Sequence, residues 1–408
     1  MTPVKNWCYS NEEWQLCRAF WGVHSGIMQL PILKNTSCSL LQRKESWMEM
    51  KAEIVAMTAE AIDKEAIARG GEILKRGGLV AFPTETVYGL GGNALDPKAS
   101  MKIYAAKGRP SDNPLIVHIA DTEDLKRIAA KIPEKAGILA EAFWPGPLTM
   151  IFPKTDAVPY GTTGGLDTVA VRMPNHKIAL ELIRQSGVLI AAPSANTSGR
   201  PSPTRAEHVR KDMDGRIDMI IDGGKVGIGI ESTIVDMTAE PPMILRPGYI
   251  TKEMLEEKIG RVTVDKVVTA KAVTEIKTDH YVPKAPGMKY KHYAPKADLT
   301  MFEGKTENVV KKIRERQQLE EQAGKKTGII CTDESRKYYQ GEHIVSIGSR
   351  ENEESIAANL YAVLRDFDET DVDVILGETF YGDGLGQAIM NRLIKAAGYK
   401  LINADLQE

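Results

Sequence analysis

The spacing of apolar and polar residues along the chain predicts a mixture of helices and strands. Residues 58–77 place apolar side chains at near-helical intervals, and further helices are expected at 98–107, 121–142, 176–186 and 251–260. Short apolar runs, which are typical of buried strands, occur at 79–83, 114–120, 148–153, 168–174, 188–194, 219–224, 232–237 and 243–248. Because the later strands follow one another without helices, we expect an α+β domain built on a mixed sheet.

Residues 298–408 show a simpler alternation. Strand-like segments occur at 327–332, 343–348 and 372–378, and helical ones at 305–323, 352–367 and 385–397. This order predicts a small parallel α/β domain. Before it, residues 278–297 contain three prolines and no periodicity, so we interpret 256–297 as a linker able to lie over a neighbouring site as a lid.

The first 47 residues differ in composition from the rest of the chain. They hold four of the five tryptophans and three of the four cysteines, and they lack the pattern of a signal peptide. We interpret residues 1–57 as an extension that the fold does not require; a small partner-binding segment is the alternative. A first domain would then span 58–255, and a second one 298–408.

The bulk composition excludes several classes of protein. A hydrophobic fraction of 42%, a charged fraction of 26% and a formal net charge of -2 are ordinary values, and they argue against an extended nucleic-acid-binding surface. No apolar run reaches the length of a membrane span. The cysteines form no CxxC pair and the histidines no HExxH motif, so we expect a reducing, cytoplasmic location and no dedicated metal site.

Five segments carry candidate chemistry, although the chain has no P-loop and no nucleophile–base pair. PTET (83–86) offers threonine hydroxyls for hydrogen bonds. Lys107 and Arg109 form a pair of cations that suits a bound anion, with a solvated basic turn as an equal alternative. Arg172 lies on an apolar strand and requires a bound carboxylate or an internal acid. The loop 192–204 is rich in hydroxyl residues and offers donors that suit phosphate oxygens; ordinary loop composition is the alternative.

Arg246 closes another apolar strand, and the glycines at 88–92 and 382–388 are interpreted as tight turns. Cations and hydroxyls without a nucleophile suit a reaction that depends on positioning and charge neutralisation, such as nucleotidyl transfer.

The motifs PTETVYGL, KGRPSDNPL, SANTSGRPSPT, STIVD, LRPG and PGMKYKHYAP occur here in order. With them, residues 60–408 resemble the YrdC/Sua family of threonylcarbamoyl-AMP synthases in its long form. The resemblance implies a YrdC-like mixed twisted β-sheet domain with helices, followed by a small Rossmann-like α/β domain. It also implies a nucleotidyltransferase that joins L-threonine, bicarbonate and ATP, with Mg2+ accompanying the ATP. The product would pass to a separate complex that modifies adenosine 37 of tRNA, without stable tRNA binding by this chain.

The resemblance also implies roles for particular residues. The L-threonine pocket would include Thr86, His118, Arg172, Ala192 and Ser232. The ATP site would include Lys107, Arg109, Asn113, Thr168, Ser194, Ser202, Arg246 and Tyr293, and the residues closest to catalysis would be Lys107, Arg109 and Arg172. His118 is either a general base or, as we favour, a polar part of the pocket wall.

Two other functions are compatible with parts of this pattern. One is a carbamoyl-adenylating module of another pathway, which the absence of CxxC pairs disfavours. The other is a non-catalytic RNA-binding module, which the near-neutral charge disfavours. Threonine-dependent release of pyrophosphate from ATP separates these functions.

Overall fold

The structure is a computed structural model that describes residues 51–269, 284–285, 292–380, 382 and 384–406. Met50–Glu408 forms one compact unit. The first 50 residues lie outside the described part, as do most residues of the predicted linker, so the interpretations of those segments stay predictions. No helix in the described ranges has both the length and the apolar character needed to cross a membrane.

The first domain is built on a mixed sheet of eleven strands within the described residues, in the order β1-β8-β2-β3-β7-β4-β6-β5-β9-β10-β11. The strands are β1 (Glu53–Ala56), β2 (Val80–Phe82), β3 (Gly89–Asn93), β4 (Ile116–His118), β5 (Leu148–Pro153), β6 (Thr168–Arg172), β7 (Ile190–Ala191), β8 (Met219–Asp222), β9 (Thr233–Asp236), β10 (Met243–Arg246) and β11 (Thr263–Val264). Parallel and antiparallel neighbours alternate irregularly, which confirms the predicted mixed sheet.

Nine helices of this domain are described, eight of them between these strands and the last one after β11. They are α1 (Lys64–Lys75), α2 (Pro97–Lys107), α3 (Leu125–Ile128), α4 (Glu134–Phe143), α5 (Tyr160–Thr163), α6 (Lys177–Ser186), α7 (Ala206–Met213), α8 (Lys252–Ile259) and α9 (Lys266–Thr269). The single helix predicted over 121–142 is wrong. It is broken into a 3-10 turn, α3 and α4 because Pro133 precedes α4, and a proline disfavours helical backbone in the residue before it.

The mixed sheet continues beyond the predicted domain limits of 58 and 255 at both ends. Glu53–Ala56 is an edge strand that pairs in parallel with Met219–Asp222. It escapes a search for apolar runs because three of its four side chains are exposed. At the other end, Thr263–Val264 pairs with β10 and extends the sheet into the predicted linker.

The glycines at 88–92 form strand β3 rather than a tight turn. Their role is close packing: a Cβ on Gly91 would lie 2.8 Å from Ile190 Cγ2 and 2.9 Å from Phe82 Cε1. Strand β3, which follows the PTET turn, therefore has no room for a side chain at Gly91.

The second domain is a parallel sheet of five described strands in the order β14-β13-β15-β12-β16, as the alternation predicts. Its strands are β12 (Asp298–Glu303), β13 (Thr327–Cys331), β14 (His343–Ser346), β15 (Val374–Glu378) and β16 (Leu401–Asn403), and its helices are α10 (Thr306–Gln322), α11 (Glu353–Phe367) and α12 (Leu385–Ala396). Helices α11 and α12 also contact the first domain, and these contacts position one wall of the site described below.

Candidate active site

A cleft in the first domain brings most of the predicted residues together. Its lining includes Thr86, Lys107, Arg109, His118, Arg172, Ala192, Ser194, Ser202, Ser232, Arg246 and Tyr293. They come from the ends of several strands and from the loops that follow them, so residues more than 200 positions apart meet in one place. Asn113 and Thr168 do not line the cleft.

The PTET turn forms one end of the cleft. The Thr84 hydroxyl accepts hydrogen bonds from the backbone N–H groups of Thr86 and Val87, each at 3.2 Å, and donates to the Val87 carbonyl at 2.6 Å. Its single proton is thereby used, so the Thr86 hydroxyl, 2.9 Å away, is the donor of the bond between them. Thr86 Oγ1 is thus left as an acceptor toward the cleft.

Arg172, predicted to need a carboxylate or an internal acid, has an internal acid. Its Nη2 lies 2.8 Å from Glu85 Oε2, its Nη1 donates to Thr86 Oγ1 at 2.9 Å, and its Nε donates to the Gly146 carbonyl at 3.3 Å. The contact with Glu85 is an ion pair without a hydrogen bond, so of the five N–H groups of the guanidinium, Nη1 keeps one unused and Nη2 keeps two. Two parallel N–H groups match the two oxygens of a further carboxylate.

His118 is neutral in this environment. Burial, followed by the nearby positive charge of Arg172, lowers the pKa of its imidazole to about 3. Nδ1 lies 3.1 Å from the Ile116 carbonyl oxygen, so Nδ1 carries the proton and Nε2 is the acceptor. Such a weakly basic ring suits a polar pocket wall better than a general base.

Lys107 is fully engaged with the protein. Its ammonium donates to the carbonyls of Ser194 and Asn196, both at 2.5 Å, and lies 3.5 Å from Asn196 Oδ1. Burial also moves its pKa well below the ordinary value for lysine. The side chain therefore fixes the 194–196 loop, and its assignment to phosphates stays a prediction.

Arg109 and Asn113 belong to the loop after α2 and keep unused polar atoms. Arg109 Nη2 donates to the Pro114 carbonyl at 3.3 Å, whereas its buried Nε has no partner. The buried Oδ1 of Asn113 has none either. Burial lowers the pKa of Arg109 to about 10, which leaves the guanidinium charged at neutral pH. A buried orphan donor and a buried orphan acceptor on one loop are expected where a ligand binds.

Arg246 is held against the backbone of the STIVD motif. Its Nε donates to the Ser232 carbonyl at 3.0 Å and its Nη2 to Ser232 Oγ at 3.1 Å. Ser232 Oγ is also 2.8 Å from Thr149 Oγ1. Arg246 and Ser232 therefore act as one rigid unit of the wall.

Several residues of the cleft lining were not singled out by the sequence analysis, among them Glu231 and His292. Glu231 accepts a hydrogen bond of 2.6 Å from Ser202 Oγ, and His292 lies beside Tyr293 with its rings 5.6 Å apart. Glu85 also escaped, although it stands inside PTET. A single acid among motifs dominated by arginines and hydroxyl residues gives no obvious sequence signal. The one available indication of Glu85 was that Arg172, on an apolar strand, needs an acidic partner.

Tyr293 and Thr168 differ in their relation to the cleft. Tyr293, from the end of the linker, is buried, lines the cleft and has a left-handed φ of 66°. Thr168 begins β6 opposite Pro153 and does not reach the lining. Among the residues that the structure describes, no group of three or more His, Cys, Asp or Glu is arranged to hold a metal ion.

Two family models match consecutive parts of the chain. The Sua5/YciO/YrdC model, described as telomere recombination, matches residues 72–248. The Sua5 C-terminal model, described as the C-terminal domain of threonylcarbamoyl-AMP synthase, matches residues 250–398. The two matched ranges are adjacent and together span residues 72–398.

Whole-chain relatives carry the same description. Threonylcarbamoyl-AMP synthase of Bacillus subtilis is 52% identical over 325 residues, which are 79% of this chain and 90% of that protein. The Schizosaccharomyces pombe enzyme is 41% identical over 346 residues, 78% of this chain and 84% of that protein. Among solved structures, Pyrococcus abyssi Sua5 complexed with L-threonine aligns with a TM-score of 0.79 and 49% identity, covering 86% of this chain and 99% of that one.

Proposed function

Because this chain belongs to the threonylcarbamoyl-AMP synthase family, in its long form with a C-terminal Sua5 domain, we propose that its cleft joins L-threonine, bicarbonate and ATP. The enzyme is a nucleotidyltransferase whose product, threonylcarbamoyl-AMP, serves N6-threonylcarbamoyladenosine formation at position 37 of tRNA. Pyrophosphate is the second product.

The observation that carries this proposal is the set of contacts around Arg172. Hydrogen bonds to Thr86 and Gly146 and an ion pair with Glu85 hold the guanidinium and leave at least one unused N–H on each terminal nitrogen. A threonine carboxylate would accept both, while the amino acid's own donors meet Thr86 Oγ1 and His118. Ala192 and Ser232 complete this part of the lining.

The chemistry then needs no side-chain nucleophile. The threonine amine attacks the carbon supplied by bicarbonate, a carbamate forms, and water leaves. A carbamate oxygen attacks the α-phosphorus of ATP, and pyrophosphate departs as that P–O bond breaks. Because both reactants are anions, the step requires charge neutralisation and alignment, to which Arg109, Arg172 and Arg246 contribute.

The nucleotide would occupy the other part of the cleft. The orphan Nε of Arg109 and the Arg246 guanidinium suit phosphate oxygens. The orphan Oδ1 of Asn113 suits a base amine, but Asn113 lies outside the cleft lining and would contact the nucleotide only at its edge. Ser194, Ser202 and Tyr293 also line the cleft, and we assign them to the nucleotide; Lys107 would support this part by holding the 194–196 loop. The nucleotide would reach Thr168 only at the rim of the cleft, because Thr168 lies outside the cleft lining.

Mg2+ would enter the cleft bound to the phosphates of ATP. It binds through substrate phosphates and one or two protein groups rather than through an all-protein cage. The hydroxyls of Ser194 and Ser202 fit that pattern as neutral oxygen donors. Its chemical contribution would be to neutralise charge on the triphosphate.

The product would be handed to a separate tRNA threonylcarbamoyl transferase complex, with no stable tRNA binding by this chain. A cytoplasmic location is supported by the unpaired, buried Cys331.

The test is pyrophosphate release measured with each substrate omitted in turn. We expect release only when L-threonine, bicarbonate, ATP and Mg2+ are all present. Release that ignores threonine, or none with the complete mixture, would contradict the proposal. Substituting carbamate for threonine and bicarbonate separates it from carbamoyl adenylation.

A further inference from the structure

Glu231, on the cleft wall, is held by side chains of the C-terminal domain. Its Oε1 accepts a 2.6 Å hydrogen bond from Ser202 Oγ. Its Oε2 accepts one of 2.8 Å from the Tyr361 hydroxyl and one of 3.2 Å from Arg392 Nε. Tyr361 and Arg392, from α11 and α12, are both fully buried at 0% exposure. The carboxylate is therefore a junction between the cleft and the second domain.

Arg392 also fixes the backbone on both sides of this junction. Its Nη2 donates to the Glu231 carbonyl at 3.3 Å, and its Nη1 donates to the carbonyls of Pro247 and Ala388. Glu231 directly precedes Ser232, and Pro247 directly follows Arg246. One guanidinium thus ties together the two segments that carry the Arg246–Ser232 unit of the cleft.

The charge of Glu231 creates a problem that Arg392 solves. A buried carboxylate beside a triphosphate would repel it, and an unpaired buried charge is also costly to folding. Arg392 Nε lies 3.2 Å from Glu231 Oε2 and forms a buried ion pair with it. The negative charge of the carboxylate is thereby compensated by a cation from the other domain.

We propose that Tyr361 and Arg392 are positioning residues for the nucleotide: acting through Glu231, they orient Ser202 and cancel a negative charge that would otherwise oppose the phosphates. The C-terminal domain thereby completes the nucleotide part of the cleft. This inference rests on the proposed function, because it takes Ser202 and Arg246 as nucleotide contacts.

Tyr361→Phe is the mildest test of this arrangement. It removes the hydroxyl bond to Glu231 and keeps the ring that stacks on Tyr293 at a centroid distance of 5.2 Å. Tyr249→Phe is a matched control, since the Tyr249 hydroxyl donates to Glu354 Oε1 at 2.9 Å across the exposed part of the same domain interface. Both substitutions delete one interdomain hydrogen bond from a tyrosine to a glutamate.

The measurements are KM for ATP, KM for threonine, kcat and the thermal midpoint of each variant. We expect Tyr361→Phe to raise KM for ATP about tenfold, equivalent to about 1.4 kcal/mol, and to change KM for threonine by less than about twofold. Tyr249→Phe should leave both values within about twofold of wild type. Equal kinetics for the two variants, or equal effects on both substrates in Tyr361→Phe, would overturn the inference.

The charge part of the inference has its own test. Arg392→Met leaves Glu231 without its cation and should raise KM for ATP more than Tyr361→Phe does. Adding Glu231→Gln removes the uncompensated charge, so the double variant should recover at least about fivefold of that loss. A double variant no better than Arg392→Met, with both folded by circular dichroism, contradicts the charge argument; if either fails to fold, Tyr361→Phe decides.

Failure of the proposed function has a different signature. If wild-type protein releases no pyrophosphate with the complete mixture, the function is wrong. If wild type is active and Tyr361→Phe matches Tyr249→Phe, only the positioning role is wrong.

Discussion

Replacement of Arg172 by alanine should raise KM for threonine far more than KM for ATP. The substitution deletes the unused N–H groups of both terminal nitrogens and the bond that Nη1 makes to Thr86 Oγ1. It leaves the nucleotide contacts proposed for Arg109 and Arg246 in place. The effect should therefore be confined to one substrate.

The magnitude follows from the bonds that are lost. A hydrogen bond to a charged group contributes about 1.5–3 kcal/mol, so a bidentate carboxylate contact that loses about 3 kcal/mol raises KM for threonine on the order of 100-fold. No comparable bond to ATP is removed, and KM for ATP should change by less than about threefold.

The substitution has a structural side effect that needs a control. Glu85 Oε2, 2.8 Å from Arg172 Nη2, would become a buried carboxylate without a partner. The loss of one member of a buried ion pair destabilises a protein by about 3–5 kcal/mol. The double variant Arg172→Ala/Glu85→Gln removes that charge and should fold more stably while keeping the raised KM for threonine.

The assay is steady-state pyrophosphate release with one substrate varied and the others saturating. Thermal midpoints of wild type, single variant and double variant are measured alongside. Equal increases in KM for threonine and ATP in the folded double variant would refute the assignment of Arg172 as the carboxylate clamp. A normal KM for threonine would refute it as well.

Three other outcomes follow from the packing and charges of the protein. Gly91→Ala should destabilise the fold by about 1–3 kcal/mol because its Cβ would lie 2.8 Å from Ile190 Cγ2, whereas Gly137→Ala in α4, with nothing within 4 Å, should stabilise it by up to about 1 kcal/mol in urea unfolding. The pKa of His118 is lowered from 6.5 to about 3, so between these pH values the unfolded chain binds a proton that the folded protein does not, and the free energy of unfolding falls as pH drops below 6.5. His118→Gln should reduce that slope by up to about 1.4 kcal/mol per pH unit, and an unchanged slope would contradict the neutral imidazole. EDTA should abolish turnover without shifting the thermal midpoint of the ligand-free enzyme by more than about 1 °C, since Mg2+ is proposed to bind with ATP; a large shift would reveal a structural metal.

The strands that the sequence predicts are those whose side chains are buried on both faces. LTMIFP and TVAVR give continuous apolar runs because β5 and β6 lie inside the sheet. β1 gives no such run because it lies at the edge of the sheet and its residues are largely exposed. β3 is glycine-rich because it packs closely on Phe82 and Ile190, and glycine is the usual mark of a turn.

The candidate site likewise contains residues that the sequence identifies and residues that it misses. Short motifs identify Arg172, Arg109 and Arg246 because each lies within a few residues of other recognisable positions. The residues that pair with the charged groups of the site are harder to predict. Glu85, the partner of Arg172, is an acid where an anion is expected to bind. Arg392, the partner of Glu231, is 161 positions away in the sequence. Only the folded chain brings these groups together, and no local pattern encodes such a pairing.

The most direct test is the structure of this protein with L-threonine and a non-hydrolysable ATP analogue bound together. The account predicts the threonine carboxylate at hydrogen-bond distance from both terminal nitrogens of Arg172, with the amine facing the α-phosphate and the phosphates beside Arg109 and Arg246. A nucleotide bound outside this cleft, or a threonine carboxylate directed away from Arg172, would contradict it.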